Sequence, residues 1–575
     1  MVNPLVVDDR DEGPGARLSE LSSREGGQAA GAAASSGGMR AFAHLLDRLS
    51  FTPSRNAKLT LVRDYLRDTA DPERGWALAA LTGELSFTGA KAGQIRRAVE
   101  ARVDPVLFGW SYDFVGDLAE TVALVWPRRP GANREPDLDE VVHALFDAKR
   151  DEVPALIERW LDALESAAAR WALLKLVTRE LRIGMSARLA KTAAAQLREG
   201  VEVSEIEELW HAVTPPYLDL FGWLDGTGEK PDADHPGRFR PVMLAHPIDE
   251  AVDFAKLDPA DYAAEWKWDG IRVQAVMERG DCRMWSRTGD DVARAFPDLV
   301  EALDFEGAID GELLVVRGGE IAPFADLQQR LNRKTADAKL QRLYPAGIRA
   351  YDLLAEGGED TRGLPFAERR ERLEGFLARH ASPVLALSEL VPFDSWEALA
   401  ALRADPAPGA AAEGLMLKRW DSTYEGGRPK GPWFKWKRDP YLVDAVMMYA
   451  QRGHGRRSSF YSDYTFGVWT AEGALTPVGK AYFGFTDEEL VELDRFVRNN
   501  TVERFGTVRS VRADREVGLV LEVAFEGLQR STRHKSGVAM RFPRINRVRW
   551  DKPAREADGI EALERILKGI EAGGR

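Results

Sequence analysis

The sequence predicts a multidomain protein with an all-α domain, an α+β domain and an all-β domain, in that order. Three observations support this prediction. The chain has 575 residues, which is too many for a single hydrophobic core. Apolar residues recur at helical spacing up to residue 213, whereas strand-like alternation becomes frequent only beyond Asp261. A stretch rich in proline and glycine, residues 214–248, lies between the two patterns.

The amino-terminal part of the chain divides into a tail and a helical domain. Residues 1–38 are acidic and then rich in Gly, Ala and Ser, without the apolar segment of a signal peptide, so a disordered tail is predicted. Residues 39–213 are predicted to form the all-α domain because good helix formers are abundant there. Gly184 interrupts one of these helices. It either caps a helix or opens a turn whose free backbone N–H groups could hold a phosphate.

The remaining boundaries follow from changes in pattern. Residues 214–248 are predicted to be a linker and the entry to the α+β domain, which covers residues 249–438. Residues 439–555 are predicted to form a small β-barrel because short strands alternate there with glycine-rich turns. The last segment, residues 556–575, is predicted to be a carboxy-terminal helical tail.

Composition limits the class of protein. Hydrophobic residues at 44% and charged residues at 30% are ordinary for a globular protein, and no apolar run reaches the length of a membrane span, so a cytoplasmic protein without a membrane partner is expected. A single cysteine, Cys282, excludes an internal disulfide and a four-cysteine zinc site.

Charge distribution points to an anionic partner. The net charge of −13 argues against nucleic-acid binding, but one segment near the carboxy terminus carries only basic charges between Glu526 and Asp551. A solvated surface is the simpler explanation of such a segment. Its aromatic residues, Phe542 and Trp550, favour an anionic partner instead. The basic residues are Arg530, Arg533, Lys535, Arg541, Arg544, Arg547 and Arg549.

One lysine within a predicted strand is the main candidate for chemistry. In the segment Glu265-Trp-Lys-Trp-Asp-Gly-Ile-Arg272, strand alternation places Glu265, Lys267 and Asp269 on one face and the two tryptophans on the other. The strand is expected to stop at Asp-Gly. Taken alone, the four-residue pattern Lys-x-Asp-Gly favours a hairpin with a solvated charged face.

Other charged residues beside apolar strand residues change this interpretation. Each one alone is best explained as the outer position of an edge strand. Together they supply two carboxylates and three lysines. Because neighbouring lysines disfavour each other's protonation, the cluster would favour a neutral, nucleophilic Lys267. The glutamates would hold Mg²⁺ against a phosphate, and the product would be a lysine phosphoramidate. The residues are Lys267, Glu312, Glu413, Lys435 and Lys437.

These motifs, in this order, resemble those of the ATP-dependent DNA ligases, within the covalent nucleotidyltransferase superfamily. The resemblance spans roughly residues 40–555. A lone Lys-x-Asp-Gly carries little information, whereas six further motifs in register with it are specific. The motifs are Lys267-Trp-Asp-Gly270, Ser286-Arg-Thr-Gly289, Asp310-Gly-Glu312, Tyr351-Asp-Leu-Leu354 followed by Gly363-Leu-Pro-Phe-Ala-Glu-Arg-Arg370, Glu413-Gly414, Tyr424 to Lys437, and Arg541-Phe-Pro-Arg544 with Asp551-Lys552.

The resemblance implies roles for residues around the nucleotide. Lys267 would attack the α-phosphate of ATP and carry AMP. Glu265 would read the adenine amine, and Tyr351 would stack on the adenine ring. Arg272 would contact the ribose or a 5′-phosphate end, and Arg287 a ribose or phosphate.

It also implies roles around the phosphates and metal. Glu312 would lie near the ribose and the metal, and Glu413 would bind the metal, which is Mg²⁺ with Mn²⁺ as a possible substitute. Lys435 and Lys437 would contact the α-phosphate. Arg541 and Lys552 would orient the departing pyrophosphate. These two contacts are conditional, because closure on ATP and closure on DNA present different faces of the barrel domain to the site.

At the level of architecture, the resemblance implies a helical DNA-binding domain, an adenylation (nucleotidyltransferase) domain and an OB-fold that close as a ring around nicked duplex DNA. AMP would pass from ATP to Lys267 and then to the 5′-phosphate of a nick, and the 3′-hydroxyl would expel it. The expected partners are ATP and nicked double-stranded DNA, and the expected state is a monomer.

Three other classes of protein share part of this pattern. NAD⁺-dependent ligases resemble the same core but carry a four-cysteine zinc site, which one cysteine cannot form. RNA ligases and mRNA-capping guanylyltransferases share Lys-x-Asp-Gly, but the large helical region and the segment from Gly363 to Arg370 resemble DNA ligases. A non-catalytic DNA-end-binding scaffold would have lost the lysine or the carboxylates, and this chain has kept them.

Overall fold

The structure is a computed structural model. It describes residues 38–115, 117–129, 131, 134–178, 181, 183–331, 333, 335–406, 411–453 and 460–571. The predicted tail, residues 1–38, lies outside the described residues except for Gly38.

The amino-terminal unit is helical, as predicted, and no strand occurs among its described residues. Its helices are α1 (Met39–Phe51), α2 (Arg55–Asp68), α3 (Glu73–Thr82), α4 (Ala92–Glu100), α5 (Pro105–Val115), α6 (Leu118–Val125), α7 (Leu138–Asp147), α8 (Val153–Ala163), α9 (Ala167–Thr178), α10 (Ala187–Ala195), α11 (Val203–Leu209) and α12 (Leu218–Leu224).

Helical spacing in the sequence accounts for the core of this unit. The apolar residues of α1 that recur every three or four positions, Phe42, Leu45, Leu46 and Leu49, are all buried in one cluster with residues from the other helices. Helix α10 begins at the N-cap Ser186, whose side chain accepts from the backbone N–H of Leu189. Gly184, two residues earlier, has a φ of 63° and lies in the connection that leads into α10.

The stretch expected to be a linker contains helix α12. Its apolar residues Leu220, Phe221, Trp223 and Leu224 are buried in the core of the helical unit. The Arg74 side chain secures its end by pairing with Asp225 at 2.5 Å. Flanking prolines and glycines suggested a loop, but burial of one apolar face stabilises a helix of only two turns.

The middle unit mixes strands and helices. Its strands are β1 (His246–Pro247), β2 (Tyr262–Trp268), β3 (Ile271–Glu278), β4 (Asp281–Ser286), β5 (Gly307–Arg317), β6 (Glu320–Ile321), β7 (Ala346–Glu356), β8 (Glu359–Asp360), β9 (Leu385–Leu387), β10 (Ala412–Arg419) and β11 (Trp433–Lys437). Its helices are α13 (Pro297–Ala302), α14 (Phe324–Leu331), α15 (Ala338–Leu343), α16 (Phe366–Arg379) and α17 (Trp396–Ala404).

These strands form two sheets. The smaller sheet has the order β1-β11-β10-β2, and the larger has the order β4-β3-β5-β7-β8 with β6 beside β5 and β9 beside β7. As predicted, β2 stops at Asp269-Gly270, and this turn carries the chain from the smaller sheet to the larger. A Cβ atom at position 270 would lie 2.4 Å from the carbonyl oxygen of Leu313, so the close approach of the two sheets requires glycine there.

The third unit is built on a seven-stranded sheet and a separate two-stranded hairpin. Its elements are β12 (Tyr441–Arg452), β13 (Tyr461–Trp469), β14 (Leu475–Ala481), α18 (Asp487–Asn500), β15 (Thr501–Phe505), β16 (Val508–Val511), β17 (Val520–Phe525), β18 (Gly527–Arg530), β19 (Val538–Arg541), β20 (Arg544–Arg549) and α19 (Ile560–Glu571). The long strand β12 pairs with β13 on one side and with both β16 and β17 on the other. We call residues 439–571 the barrel unit.

The helix predicted near the carboxy terminus is present as α19. It packs on the barrel unit, because Leu563 and Leu567 are buried in the same cluster as residues of β12, β13 and β17. Across the described part of the chain, none of the helices has both the length and the apolar character needed to cross a membrane.

The helical unit and the middle unit are in contact. Glu208 accepts from Arg362 at 2.6 Å, and the ring of His211 packs against those of Phe239 and Trp285, with centroid separations of 5.4 and 4.6 Å. Burial, and the charge of Lys191, lower the pKa of His211 to about 4. A neutral imidazole therefore fills this contact.

Candidate active site

Strand β2 places Lys267 beside Glu413 of the neighbouring strand β10, and the two side chains form an ion pair. The Lys267 and Glu413 side chains are 23% and 24% exposed, so a substrate can reach both. Gly414 follows with a φ of 144°, and a Cβ atom there would lie 2.3 Å from the carbonyl oxygen of Trp436. The glycine of the Glu-Gly motif is therefore required for β10 to lie against β11.

Glu413 lies between two lysines. Its second carboxylate oxygen is 3.3 Å from the Nζ atom of Lys437, which projects from β11. Burial alone would raise the pKa of Glu413, but Lys267 and Lys437 outweigh burial and hold its pKa below the usual range. The group is therefore a carboxylate at neutral pH.

Lys435 lies near the same cluster. Burial, followed by the charges of Arg428, Lys267 and Lys437, lowers the pKa of Lys435. The mutual repulsion expected among clustered lysines is therefore present at Lys435. Arg428 was part of a quoted motif but was not singled out from the sequence.

The larger sheet contributes Arg272 and Glu312, which are directly opposite each other on β3 and β5. Burial, opposed by the charges of Lys267 and Arg272 and assisted by the carboxylates of Glu413 and Asp269, raises the pKa of Glu312 to about 8. Charged side chains from both sheets therefore affect the pKa of Glu312, which means that they lie around one common space.

Arg272 is held by three partners. Its guanidinium forms an ion pair with Asp310, donates to the hydroxyl of Tyr424 at 2.9 Å and donates to the backbone carbonyl of Met243 at 2.5 Å. The Tyr424 hydroxyl itself donates to Asp310 at 2.6 Å. This buried network fixes the orientation of Arg272.

Arg287 lies in the turn after β4. Burial, followed by the charges of Arg272 and Arg428, lowers its pKa, and the carboxylate of Glu312 opposes this shift. Arg287 is therefore close to the same cluster.

Glu265 is almost completely buried and has two cationic partners. One carboxylate oxygen is 3.0 Å from Arg370, and the other is 2.7 Å from the Nζ atom of Lys418. Lys418 also lies 4.5 Å from the centroid of the Tyr351 ring. Lys418 thus contacts both Glu265 and Tyr351, the two residues predicted to bind adenine. Lys418 itself was not predicted from the sequence.

The barrel unit reaches this cluster through Arg541. Its guanidinium forms an ion pair with Asp269, two residues after Lys267, and lies 4.5 Å from the centroid of the Phe324 ring. Lys552 is placed differently. Its Nζ atom donates to Asp444 on β12 at 2.6 Å, so the structure brings only one of the two predicted barrel residues to the cluster.

Several residues of the cluster were missed at the sequence level. Most of them lie within the recognised motifs, so membership of a motif could have identified them as candidate site residues. Glu526, described below, lies outside every motif and had no such signal. The residues missed are Asp310, Arg370, Lys418, Arg428 and Glu526.

The donor set suits magnesium. Glu413 provides a carboxylate and Glu312 a carboxyl group that could bind a metal once it has lost its proton, and no group of three or more potential metal ligands occurs in the part of the chain that the structure describes. Mg²⁺ is commonly bound by one or two carboxylates, with water and substrate phosphates completing its octahedron. Structural zinc, which needs four protein ligands, does not fit this set.

Comparison with known proteins identifies the family of the chain. Residues 242–437 match the family described as the ATP dependent DNA ligase domain, and residues 457–552 match the ATP dependent DNA ligase C terminal region. A probable DNA ligase of Koribacter versatilis is 32% identical over 574 residues, covering 92% of this chain and 96% of the relative. DNA ligase 1 of Korarchaeum cryptofilum is 31% identical over 553 residues, covering 92% and 98%.

A similar fold is found among solved structures. The structure titled Pmar-Lig_PreS3 matches with a TM-score of 0.55 at 15% identity, and the match covers 88% of this chain and 99% of that one. At this identity the likeness concerns the fold alone, and it extends over the helical unit as well as the other two.

A lysine on one sheet, carboxylates on both sheets and an arginine from an attached OB-fold define a nucleotidyltransferase. Within that class, the chain belongs to the ATP-dependent DNA ligase family. It is a DNA ligase that uses ATP to seal nicks in DNA.

Proposed function

We propose that Lys267 is the nucleophile that takes AMP from ATP. The observation that carries this proposal is the position of its Nζ atom, on Glu413 and within the charged space that Glu312, Lys435 and Lys437 share. A phosphoryl-transfer site needs this combination of an amine, carboxylates for a metal and fixed cations for the phosphates.

The first step forms a bond between Lys267 Nζ and the α-phosphorus of ATP and breaks the bond from that phosphorus to the bridging oxygen. Pyrophosphate leaves with the electron pair of the broken bond, and the lysine gives its proton to solvent. The ion pair with Glu413 must open before the amine can attack. Glu413 and Glu312 would hold Mg²⁺, which would displace the Lys267 amine from Glu413. The bound ion would neutralise phosphate charge.

The remaining residues bind and orient the nucleotide. Glu265 would accept from the adenine amine, and Tyr351 would stack on the base. Lys435, Lys437 and Arg287 would contact phosphate or ribose. Arg541 would face the departing pyrophosphate, since it enters the cluster from the barrel unit. Lys552 could do so only after leaving Asp444.

The second and third steps take place on DNA. AMP would pass from Lys267 to the 5′-phosphate of a nick in duplex DNA, and the 3′-hydroxyl would then attack that phosphate and release AMP. The helical unit would bind the duplex, and exposed cations of the barrel unit such as Arg547 would contact its backbone. We propose that the protein works on nicked double-stranded DNA as a monomer.

The test uses ATP labelled at the α-phosphate, Mg²⁺ and a denaturing gel. The wild-type protein should retain the label, and nicked duplex DNA should remove it. The variant Lys267→Ala should retain none, whereas Lys256→Ala, which changes an exposed lysine of the same unit, should behave as wild type. Full labelling of Lys267→Ala would show that another residue is the nucleophile. Labelling by GTP and not by ATP would indicate capping chemistry.

A further inference from the structure

Glu526 of the barrel unit reaches the nucleotide site. It occupies the turn between β17 and β18, and its Oε2 atom lies 3.6 Å from the Nζ atom of Lys437. Its Oε1 atom accepts from Arg544 at 2.8 Å. The Glu526 side chain is only 20% exposed, so the ion pair is partly shielded from water.

Lys437 is therefore shared by two carboxylates from different units. Glu413 of the middle unit lies 3.3 Å away and Glu526 of the barrel unit 3.6 Å away. Lys437 is the proposed contact of the α-phosphate, so a contact that fixes the position of Lys437 also affects the position of the α-phosphate. Glu526 is the residue of the barrel unit that makes such a contact.

A backbone hydrogen bond joins Glu526 to Arg541. The backbone N–H of Glu526 donates to the carbonyl oxygen of Arg541 at 2.9 Å, at the base of the hairpin formed by β18 and β19. Arg541 contacts Asp269 and Phe324 of the middle unit. The base of the hairpin thus carries Glu526, which pairs with Lys437, and Arg541, which pairs with Asp269. These two ion pairs together fix how the barrel unit docks on the middle unit.

We infer that Glu526 is a positioning residue for the adenylation of Lys267. It holds the barrel unit in the docked arrangement that brings Arg541 to the site, and it acts in this step and not in the later steps on DNA. The inference rests on the proposed role of Lys267. Arg541 touches Asp269, which lies two residues from Lys267, so the docked barrel unit covers the space that a nick must enter to receive AMP. The Glu526–Lys437 contact must therefore be broken before the DNA steps.

The experiment measures the two halves of the reaction separately. Single-turnover labelling of the full-length protein with ATP reports adenylation, and sealing of a nick that already carries 5′-linked AMP, without ATP, reports the last step. Glu526→Gln should slow labelling about tenfold, the effect of losing one coupling contact between units. It should leave sealing of the adenylated nick within about twofold of wild type.

Glu522→Gln is a matched control. Glu522 lies on β17, its side chain is 21% exposed, and it pairs with Arg549 at 3.8 Å within the barrel unit. The Glu522→Gln variant should change neither half of the reaction. Glu526→Asp keeps the charge on a shorter side chain and should recover part of the labelling rate. Equal slowing of both halves by Glu526→Gln would show a merely structural role, and unchanged labelling would exclude any role.

Failure of this inference can be told apart from failure of the proposed function. If Lys267→Ala loses the label but Glu526→Gln labels at the wild-type rate, only the inference about Glu526 is wrong. If Lys267→Ala keeps the label, the nucleophile has been misassigned and the proposed function is wrong, whatever Glu526→Gln does.

Discussion

Glu265 and Lys418 form a buried ion pair, with 2.7 Å between Oε2 and Nζ and both side chains only 2% exposed. Arg370 neutralises the other carboxylate oxygen at 3.0 Å. Two cations on one buried carboxylate fix its orientation, and an oriented carboxylate can distinguish the amine of adenine from the carbonyl oxygen of guanine.

Removing one of these cations should cost stability. Lys418→Met leaves Glu265 with a single partner in a buried position, so the free energy of unfolding should fall by about 3 kcal/mol. Urea denaturation measures this loss. Lys256→Met, at an exposed lysine, should change it by less than about 0.5 kcal/mol. A similar small effect in both variants would contradict the importance of the pair.

Glu413 should matter for adenylation more than for folding. Glu413→Gln removes the negative charge between Lys267 and Lys437 and one proposed metal ligand, so single-turnover labelling should slow by about 10²–10³-fold. Raising the Mg²⁺ concentration should recover only part of the rate. The exposed Glu389→Gln provides the control, and a Glu413→Gln rate within twofold of wild type at every Mg²⁺ concentration would exclude the assignment.

The network around Arg272 predicts a combined effect on stability and activity. Asp310 is fully buried and accepts from both Arg272 and Tyr424, so Asp310→Asn should lower the free energy of unfolding by about 3 kcal/mol. Labelling should also slow, because Arg272 loses its fixed orientation. Asp421→Asn, which breaks an exposed pair with Arg419, should do neither. Thermal unfolding and labelling of the same samples test this.

The contact between the helical and middle units should weaken in acid. Burial lowers the pKa of His211 to about 4, against an ordinary value of 6.5, so the folded protein binds fewer protons than the unfolded one between these values. Stability contributed by neutral His211 is therefore complete above pH 6.5 and is lost as the pH falls towards 4.

His211→Phe keeps a ring packed against Phe239 and Trp285 but cannot titrate. The melting temperature of the wild type relative to His211→Phe should therefore fall between pH 7.5 and pH 5.5. The exposed His44→Gln should show no such change relative to wild type. A constant difference between wild type and His211→Phe at the two pH values would show that His211 does not titrate in this way.

The sequence predicted those parts of the fold and site that local patterns encode. Helical spacing in α1 and the stop of β2 at Asp269-Gly270 are local, and both are present. Lys267, Lys435 and Lys437 come together because alternation along paired strands fixes which side chains share a face. Glu413 joins them at a register shift of β10 between Ala412 and Leu415, which alternation alone does not predict.

What escaped the sequence depends on contacts between distant segments. The Arg370 side chain reaches Glu265 across 105 positions, and Arg541 reaches Asp269 across 272. No periodicity or motif encodes such pairs. Helix α12 escaped for the same reason, because its stability comes from burial against helices far away in the chain and not from its own propensity.

The position of α19 bears on the choice of fragments for expression. Because Leu563 and Leu567 complete the hydrophobic core of the barrel unit, a chain shortened after residue 555 would leave an apolar face of that unit in water. Such a fragment would still contain every motif quoted above, so loss of activity in it would reflect aggregation and not chemistry. Fragments meant to report on catalysis should therefore extend at least through Leu567.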